Sequence, residues 1–514
     1  MTVKILWTDD EIDLLKPHIL FLEEKGYQVC TATNGDDALE MFDEERPHIV
    51  FLDENMPGMS GLEVLTEMKA KQPSVPVVMI TKSEEESIME EAIGSKISDY
   101  LIKPVNPKQI LLSIKKNLDQ SQLIRDKTTS GYQQDFRRIG MRLTENLELN
   151  EWKELYREMV TWELELESSK DESMNEVLDM QKREANDRFS RFVESRYLDW
   201  VNDESDDSPT MSHNVFKRKI APELQDDKKT FLIVIDNLRY DQWKMFKPLI
   251  ESMFTVKTDE IYNGIVPSTT HYARNAIFSG LMPSRIARMF PKMWKTENEE
   301  GGKNSHEEEF LNNQMMRLGI KQKTRYNKVT TLSYGKKLSE NFHELLDFDF
   351  NVIVYNFVDM LSHARTEMEV LRELADDESA YRSLTMSWFL HSPLYDIIKQ
   401  IAEHKGRLII TTDHGSVRVH KPVKVIGDRN TNKNLRYKTG KALSYKDKEI
   451  FAVKNPDDAL LPKGNVSSVY VFARDETFLA YPNNCNYYAN YYKNTFQHGG
   501  ISLEELLIPI AVME

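Results

Sequence analysis

Carboxylate and imidazole side chains recur in the second half of the chain with spacings that suit metal binding. They are, in chain order, Asp236, Asp359, His363, Asp413, His414 and His498. Imidazole mixed with carboxylate favours Zn²⁺ or Mn²⁺ over Mg²⁺. Six such ligands are enough for two metal ions about 4 Å apart, the arrangement used for in-line displacement at phosphorus. Taken alone, the Asp-His pair in "TTDHG" is also compatible with a simple polar turn.

A pair of threonines supplies a candidate nucleophile for such a site. In "STTHYARNAIFSG", Thr269 and Thr270 precede the helical segment "YARNAIF", where they are expected to cap the helix. A hydroxyl there faces the positive end of the helix dipole and free backbone N–H groups, which both favour a bound phosphate. A neighbouring metal would lower the pKa of the alcohol. Capping alone would also explain the pair.

A second set of reactive side chains follows the apolar runs of the first part of the chain. The set consists of Asp9, Asp10, Asp53, Thr81 and Lys103. Clustered carboxylates repel one another unless a cation lies among them, and hard oxygen ligands suit Mg²⁺. A carboxylate beside Mg²⁺ can attack a phosphoryl donor and become an acyl phosphate, whose oxygens a lysine and a threonine can hold.

The elements that position the second set are predicted by alternating patterns in residues 1–120. Five apolar runs, from "VKILWT" to "DYLIK", alternate with helix-like segments such as "NGDDALEMFDEERP". This pattern predicts a doubly wound parallel α/β sheet with right-handed crossovers. Ligands of such sheets bind beyond the carboxyl ends of the strands, where the reactive residues stand.

The rest of the chain divides into a helical and a second α/β region. In residues 121–205 glycine and proline are rare, and Trp152, Leu155, Tyr156 and Met159 have the spacing of one helix face. This predicts a small helical bundle that serves as a spacer or as a partner-binding segment. Strand signals return in residues 206–514, in "TFLIVID", "FNVIVYNFVD", "GRLIITTD" and "SVYVFAR". The chain is therefore expected to be a multidomain α/β protein.

Composition limits the classes of function. The 514 residues carry a net charge of -16, which argues against non-specific binding of duplex DNA. The two cysteines cannot form a disulfide framework, and the apolar runs are far shorter than a membrane span. The N-terminal residues lack a basic segment followed by an apolar one, so we expect no signal peptide and a cytoplasmic location.

The N-terminal region resembles the receiver domain of two-component response regulators, a CheY-like fold. The resemblance rests on "DD" at 9–10, D-x-x-M-P-G from Asp53 and "KP" at 103–104, and it covers residues 1–120. It implies that Asp53 is the phosphorylation site and that Asp9, Asp10 and Asp53 bind Mg²⁺. It also implies switch roles for Thr81, Lys103 and Tyr100, and a sensor histidine kinase as phosphodonor.

The C-terminal region resembles the alkaline phosphatase superfamily in its PglZ version. The superfamily order is an Asp after the first strand, a Thr or Ser at a helix start, D-x-x-x-H, D-H-G and a late His before Gly. The chain offers Asp236, Thr270, "DMLSH", "DHG" and His498 in that order. The resemblance implies that Asp236, Asp413, His414 and Thr270 serve one zinc, that Asp359, His363 and His498 hold the other, and that Thr270 attacks phosphorus.

The distance from Thr270 to "FSG" resembles that in nucleotide pyrophosphatases and favours Thr270 over Thr269 as the nucleophile, although Thr269 remains possible. The same resemblance points to phosphodiester substrates. Tyr272, Tyr240 and Trp243 could stack on a base or pack in the core. We therefore predict a phosphorylation-controlled, zinc-dependent phosphodiesterase that acts on nucleotides or oligonucleotides. The alternatives are a catalytically silent, zinc-stabilised scaffold that signals through partners and, with least support, a DNA-binding regulator.

The order of receiver, helical connector and PglZ-type domain resembles response regulators associated in Bacteroidetes with the type IX secretion system. That resemblance implies a regulatory role in secretion, a partner sigma factor and contact with secretion components. Because phosphorylated receivers commonly dimerise, we also expect a homodimer on phosphorylation.

Overall fold

The computed structural model describes residues 3–73, 75–81, 97–169, 172–297, 299, 301–368, 373, 375, 377–428, 431–441, 443–464, 467–480 and 485–514. The chain divides into two compact units. Met1–Gln134 with Ser168–Asp171 form the first, and Asp135–Glu167 with Glu172–Glu514 form the second. Most of the helical region thus groups with the C-terminal region, and the domain limits 1–120, 121–205 and 206–514 stay predictions.

A five-stranded parallel sheet forms the centre of the first unit. Its strands are β1 (Lys4–Thr8), β2 (Gln28–Ala32), β3 (Ile49–Asp53), β4 (Val77–Thr81) and β5 (Asp99–Ile102). Their order across the sheet is β2-β1-β3-β4-β5, and every pairing is parallel. All residues of β3 and β4 are buried, as continuous apolar runs predict for a sheet covered on both faces.

Short helices connect these strands. They are a 3₁₀ turn (Ile12–Leu15), α1 (Lys16–Glu24), α2 (Gly35–Glu45) and α3 (Gly61–Lys71). Helix α2 begins where the Asn34 side chain accepts the Asp37 N–H, and α3 begins at a capping box of Ser60 and Glu63. The helix expected between β4 and β5 falls mostly on residues 82–96, outside the described part of the chain.

Three long helices follow the first sheet. They are α4 (Pro107–Thr144), α5 (Leu149–Ser169) and α6 (Glu172–Asn202). The four apolar residues that the spacing placed on one face of α5, from Trp152 to Met159, are all buried. The Tyr156 ring lies 5.7 Å from that of Tyr240 in the C-terminal region, so this face packs within the second unit.

The described residues of the second unit form thirteen strands. They are β6 (Thr230–Ile235), β7 (Val256–Asn263), β8 (Thr324–Val329), β9 (Phe350–Tyr355), β10 (Arg407–Thr411), β11 (Val417–Arg418), β12 (Lys421–Lys424), β13 (Tyr437–Lys441), β14 (Ile450–Val453), β15 (Ser468–Ala473), β16 (Thr477–Ala480), β17 (Phe496–Gln497) and β18 (Leu507–Met513). The main sheet has the order β7-β18-β10-β6-β9-β8. Strands β10, β6, β9 and β8 are parallel, and β18 runs antiparallel to both of its neighbours.

Helices cover this mixed sheet. They are α7 (Tyr240–Glu251), α8 (Thr270–Ser279), α9 (Pro283–Met289), α10 (Glu307–Arg317), α11 (Leu332–Glu340), α12 (Phe357–Glu367), α13 (Glu378–Leu390), α14 (Pro393–Glu403), α15 (Cys485–Tyr492) and α16 (Leu503–Leu506), with a π-helical turn (Phe216–Ile220) and 3₁₀ turns at Ala221–Leu224, Phe342–Asp347, Asp447–Glu449 and Pro456–Ala459. Within the described residues, no helix has both the length and the apolar character needed to cross a membrane.

Helix α6 fixes the loop that follows His498. The Asn186 side chain accepts the Leu503 N–H at 2.8 Å and donates to the Glu504 carboxylate at 3.1 Å. The Ser190 hydroxyl donates to the Ile501 carbonyl at 2.9 Å. These contacts are buried, so an element of the helical region helps to position a candidate metal ligand of the C-terminal region.

Candidate functional site

Three adjacent parallel strands deliver the aspartates of the C-terminal site. Asp236 follows β6, Asp413 lies two residues beyond β10, and Asp359 stands in the first turn of α12, just after β9. Strand β6 lies between β10 and β9 in the sheet. Because the carboxyl ends of parallel strands meet at one edge, the three side chains converge there.

A first group of metal-ligating atoms consists of Asp236, Asp413 and His414, which can approach within 4.8 Å of one another. All three are buried. His414 Nε2 lies 3.6 Å from Asp236 Oδ1 and 3.9 Å from Asp413 Oδ2. Burial raises the pKa of Asp236 well above its usual range and lowers the pKa of His414 to about 4, so an uncompensated charge is unfavourable here.

A second group consists of Asp359, His363 and His498, again within 4.8 Å. The nearest atoms are His498 Nε2 and Asp359 Oδ1 at 3.4 Å, and His363 Nε2 and Asp359 Oδ2 at 3.5 Å. Although burial opposes both shifts, the contact between His498 and Asp359 lowers the pKa of the carboxyl and raises that of the imidazole. His363 is the exposed member, with 60% of its side chain accessible.

The two groups are neighbours. The rings of His414 and His498 stack with centroids 4.3 Å apart. Asn237 lies between the groups, because its backbone N–H donates to Asp413 Oδ1 at 3.3 Å and its side-chain amide donates to Asp359 Oδ1 at 3.3 Å. Its φ of 64° is left-handed, a conformation that asparagine tolerates better than most residues.

Thr270 joins the first group. Its Oγ1 lies 3.1 Å from Asp236 Oδ1 and 3.1 Å from His414 Nε2. Helix α8 begins at Thr270, with Thr269 as the N-cap residue. The expected capping hydrogen bond is not formed, and the buried Thr269 hydroxyl has no hydrogen-bond partner in the described part of the chain. Sequence therefore placed the helix start correctly and the side-chain cap wrongly.

The donor set fits a pair of soft-to-borderline divalent cations. Asp413 Oδ2 and His498 Nδ1 are buried, and neither has a hydrogen-bond partner among the described residues. Buried polar atoms of this kind are costly unless something compensates them. Imidazole and carboxylate donors together match zinc better than magnesium. Each group, with an open side toward Thr270 or solvent, is suited to hold one such ion.

Sequence analysis missed Arg274, which stands one helical turn beyond Thr270. Its guanidinium is buried, donates to Asp236 Oδ2 at 2.9 Å and to Glu307 Oε1 at 2.6 Å, and lies 3.7 Å from Asp413 Oδ2. One cation therefore faces three carboxylates. The four-residue spacing of Arg274 from Thr270 on the same helix was the signal in the sequence that could have identified it.

The N-terminal site brings Asp9, Asp10 and Asp53 together within 4.8 Å. Asp9 and Asp53 are buried and Asp10 is exposed. Lys103 Nζ lies 2.8 Å from Asp9 Oδ2 and 2.8 Å from Asp53 Oδ2. Burial raises the pKa of Asp53, against the opposing effect of Lys103. Three carboxylates with one accessible member suit a hydrated hard cation such as Mg²⁺.

The remaining residues predicted for this site lie at the same sheet edge or near it. Thr81 ends β4 and is buried, and its hydroxyl donates to Glu54, a contact that sequence analysis did not foresee. Tyr100 lies within β5, is partly buried and packs against the apolar cluster on one face of the sheet. Lys103 follows β5 and reaches the aspartates directly.

The three aromatic residues proposed either to stack on a base or to pack in the core are buried. Tyr240 contacts Tyr156, and Trp243 donates its Nε1–H to Asp259 Oδ1 at 3.0 Å. Tyr272 packs against Trp294 and Tyr470. Their positions support core packing for Tyr240 and Trp243, and Tyr272 lines a cavity of about 380 Å³ beside the site.

Comparisons with family models identify the domains of the chain and its family. The model described as the BREX system PglZ alkaline phosphatase-like domain matches residues 215–513, more than half of the 514 residues. The chain belongs to the PglZ family. A receiver domain model matches residues 5–115, and a PorX response regulator linker domain matches residues 122–201. This order is that of a PorX-type response regulator, so the domain-level resemblances and the fold class are confirmed.

Individual curated relatives are similar over about a quarter of the chain. The chain is 31% identical over 125 residues to the alkaline phosphatase synthesis transcriptional regulatory protein PhoP of Bacillus subtilis, which covers 24% of this chain and 51% of PhoP. It is 32% identical over 112 residues to the transcriptional regulatory protein ResD of the same organism, covering 22% and 46%. The chain thus spans about half the length of these curated relatives.

The solved structures that are similar include receiver domain proteins, which cover about a quarter of the chain. A CheY-like receiver domain protein from Methanospirillum hungatei JF-1 is 28% identical, with a TM-score of 0.23, and covers 23% of this chain and 96% of that one. A receiver domain protein from Clostridium thermocellum is 29% identical, with a TM-score of 0.23, and covers 24% and 98%. The receiver domain model that matches residues 5–115, and not these structures, implies a phosphodonor such as a histidine kinase.

Proposed function

We propose that this PglZ-family chain is a response regulator whose phosphorylation on Asp53 controls a two-zinc phosphodiesterase acting on nucleotides or oligonucleotides. The observation that carries the proposal is the position of Thr270 Oγ1, 3.1 Å from both Asp236 Oδ1 and His414 Nε2, at the start of a helix. A hydroxyl between a carboxylate and an imidazole, beside further ligands, is suited to attack phosphorus.

In this proposal Asp236, Asp413 and His414 hold one zinc ion, and Asp359, His363 and His498 hold the other. The bound ions would supply Lewis-acid stabilisation of charge on the entering and leaving oxygens. Thr270 Oγ1 gives up its proton and forms a bond to phosphorus while the bond to one ester oxygen breaks, and the departing alkoxide takes up a proton to leave as an alcohol. Water then attacks the resulting threonine phosphodiester, the bond from phosphorus to Thr270 Oγ1 breaks, Oγ1 regains a proton, and the remaining ester arm leaves as the phosphomonoester.

The surrounding residues orient this step. Arg274 engages Asp236 Oδ2, which leaves Asp236 Oδ1 facing the Thr270 hydroxyl. The Asn304 side chain donates to the Thr270 carbonyl at 2.9 Å and so fixes the first turn of α8. The backbone N–H groups at the start of that helix favour the anionic, still esterified phosphoryl group that forms on Thr270.

The receiver would take its phosphoryl group on Asp53 with Mg²⁺ held by Asp9, Asp10 and Asp53. Lys103, now shared between Asp9 and Asp53, would follow the new phosphoryl oxygens, with Thr81 and Tyr100 responding to them. We keep residues 1–120, 121–205 and 206–514 as the three functional segments. We also retain a sensor histidine kinase, homodimerisation on phosphorylation, a sigma factor partner and a role in type IX secretion as parts of the proposal.

The first test is hydrolysis of bis-p-nitrophenyl phosphate by the zinc-loaded full chain and by Thr270→Ala. We expect the substitution to lower kcat by at least about 1,000-fold, because it deletes the nucleophile. Thr269→Ala is the matched control, since it removes the neighbouring hydroxyl and should keep most activity.

The outcomes separate the alternatives. Loss of activity in Thr269→Ala alone would move the nucleophile to that residue. Equal activity in all three proteins would point to a metal-bound water instead. If zinc binds but none of the proteins turns over any diester, the zinc-stabilised scaffold that signals through partners becomes the better interpretation.

A further inference from the structure

Two cavities are lined in part by Thr270. One has a volume of about 770 Å³ and is lined by aromatic and amide side chains together with His363 and His498. The other has a volume of about 700 Å³ and is lined by Asp236, Arg274 and charged residues of the 302–309 segment. Each is large enough for a drug-sized group.

Three of the described residues line both cavities: Thr270, Asp359 and Lys303. The first is the candidate nucleophile and the second is a candidate metal ligand. The phosphorus of a diester in which each ester arm occupies one cavity would therefore lie where these three side chains meet. Lys303 is the cation at that junction.

Other cations of the two cavities are committed elsewhere or lie to one side. Arg274 is bound to Asp236 and Glu307. Lys328 Nζ lies 2.8 Å from Glu307 Oε2 and 2.8 Å from the Asn304 carbonyl. Lys433 lines only the larger cavity and is exposed.

The backbone of Lys303 is anchored to α8, the helix that begins at Thr270, and its ammonium binds Glu297 at a partly exposed position. The Lys303 carbonyl accepts from the Asn275 side chain on α8 at 3.1 Å. Its Nζ donates to the Glu297 carbonyl at 2.8 Å and to the Glu297 carboxylate at 3.1 Å, and a quarter (25%) of the side chain is exposed. Glu297 also accepts from the Tyr437 hydroxyl at 2.6 Å and so keeps a partner if Lys303 leaves.

We propose that Lys303 binds a non-bridging oxygen of the scissile phosphate and that the two ester arms of the substrate occupy the two cavities. The inference rests on the proposed phosphodiesterase function and adds the residue that recognises the phosphoryl group. A charge-assisted hydrogen bond to this oxygen strengthens as negative charge develops in the transition state. Lys303 is thus a catalytic residue, because it touches the reacting group.

The test compares the zinc-loaded full chain with Lys303→Met and Lys303→Arg. With bis-p-nitrophenyl phosphate, we expect Lys303→Met to lower kcat/KM by about 100-fold, the usual effect of removing one such donor. Lys303→Arg should recover part of the loss because it keeps the charge. Lys292→Met is the matched control, because Lys292 is exposed and lines neither cavity, and it should behave as the natural chain does.

A second readout does not depend on turnover. Orthovanadate, which imitates the five-coordinate phosphoryl group, should bind Lys303→Met about 100-fold more weakly, with zinc content and the unfolding temperature unchanged. If Lys303→Met keeps the hydrolytic activity and the vanadate affinity of the natural chain, the proposed role of Lys303 is overturned while the proposed phosphodiesterase function still stands. An unfolded or zinc-poor Lys303→Met with a normal Lys303→Arg would assign Lys303 a structural role, which also overturns it. If the natural chain itself is inert, the proposed function fails first.

Discussion

The two acidic sites of this chain both lie at the carboxyl ends of parallel strands, yet they balance their charge in different ways. In the receiver, Lys103 contacts Asp9 and Asp53 directly, and Asp10 stays exposed. In the PglZ region, Asp413 and His414 are wholly buried, and Asp413 Oδ2 has no hydrogen-bond partner among the described residues.

This difference fits the two proposed uses, transient phosphoryl chemistry in the receiver and resident cations in the PglZ region. A lysine that shares two carboxylates can move when a phosphoryl group arrives, and an exposed third carboxylate admits a hydrated ion. A buried carboxylate that is ionised needs a compensating charge, which Arg274 supplies in part at Asp236, and a buried imidazole favours its neutral form. The corresponding edge of two different sheets thus supports both uses, and the type of ligand and its burial decide between them.

The largest expected effect lies in the receiver. Asp53→Asn should abolish phosphoryl incorporation from acetyl phosphate, because the amide cannot form the acyl phosphate. Asp36→Asn, which alters an exposed aspartate in the first turn of α2, should label as the natural chain does. Phosphoryl incorporation would be measured as the increase in intact protein mass. In the absence of a phosphodonor, the rate of diester hydrolysis by zinc-loaded Asp53→Asn should stay within about twofold of the rate of the natural chain. Labelling that survives in Asp53→Asn would place the phosphoryl group on another residue.

A smaller effect is expected in the pH dependence of folding stability, which should report the protonation of Asp236 in the PglZ site. Burial raises the pKa of Asp236 well above its usual range, so after chelation of metal the folded state holds a proton that the unfolded state releases. Stability should therefore fall as pH rises above the ordinary aspartate pKa, by about 1.4 kcal/mol per pH unit for one proton. Excess zinc should abolish or reverse this slope, because it binds the ionised form.

Urea unfolding of the second unit, measured at several pH values with and without zinc, would show this slope. Asp236→Asn removes the ionisable group and should flatten the metal-free slope. A slope that is identical in Asp236→Asn would assign the proton to another group and weaken the contrast between the two sites.

The smallest expected effect concerns helix starts. Thr269 is an N-cap residue without a side-chain cap, whereas the Thr331 side chain accepts the Tyr334 N–H at 3.3 Å. We expect Thr331→Ala to cost about 1 kcal/mol of unfolding free energy and Thr269→Ala only a few tenths. A loss in Thr269→Ala as large as in Thr331→Ala would mean that its hydroxyl has a structural role.

Sequence analysis recovered the elements that depend on local pattern. Continuous apolar runs identified β3, β4, β6 and β10, and the residues after them, such as Asp53, Asp236 and Asp413, fell at the shared edges. The motif order also grouped the six candidate ligands as the structure does, in two sets of three. Strand-end residues are predictable because topology alone brings them together.

Other features depended on tertiary packing and were not predictable. Arg274 appeared as an ordinary helix residue, since its role depends on Glu307, a partner distant in sequence. The Thr81 contact with Glu54 and the missing cap at Thr269 reflect side-chain geometry that propensity does not specify. The grouping of α5 and α6 with the C-terminal region depends on buried polar contacts such as that of Asn186 with Glu504.

The contacts of α6 with residues 501–504 have a consequence for how this architecture can be inherited. The PglZ region begins at residue 215 in the family match, but a buried part of its ligand-bearing loop is completed by Asn186 and Ser190. A fragment cut at that boundary would expose this loop and leave Glu504 without its amide partner. Helix α6 and the PglZ region therefore have to be inherited together, because recombination that exchanges only one of them breaks these buried contacts.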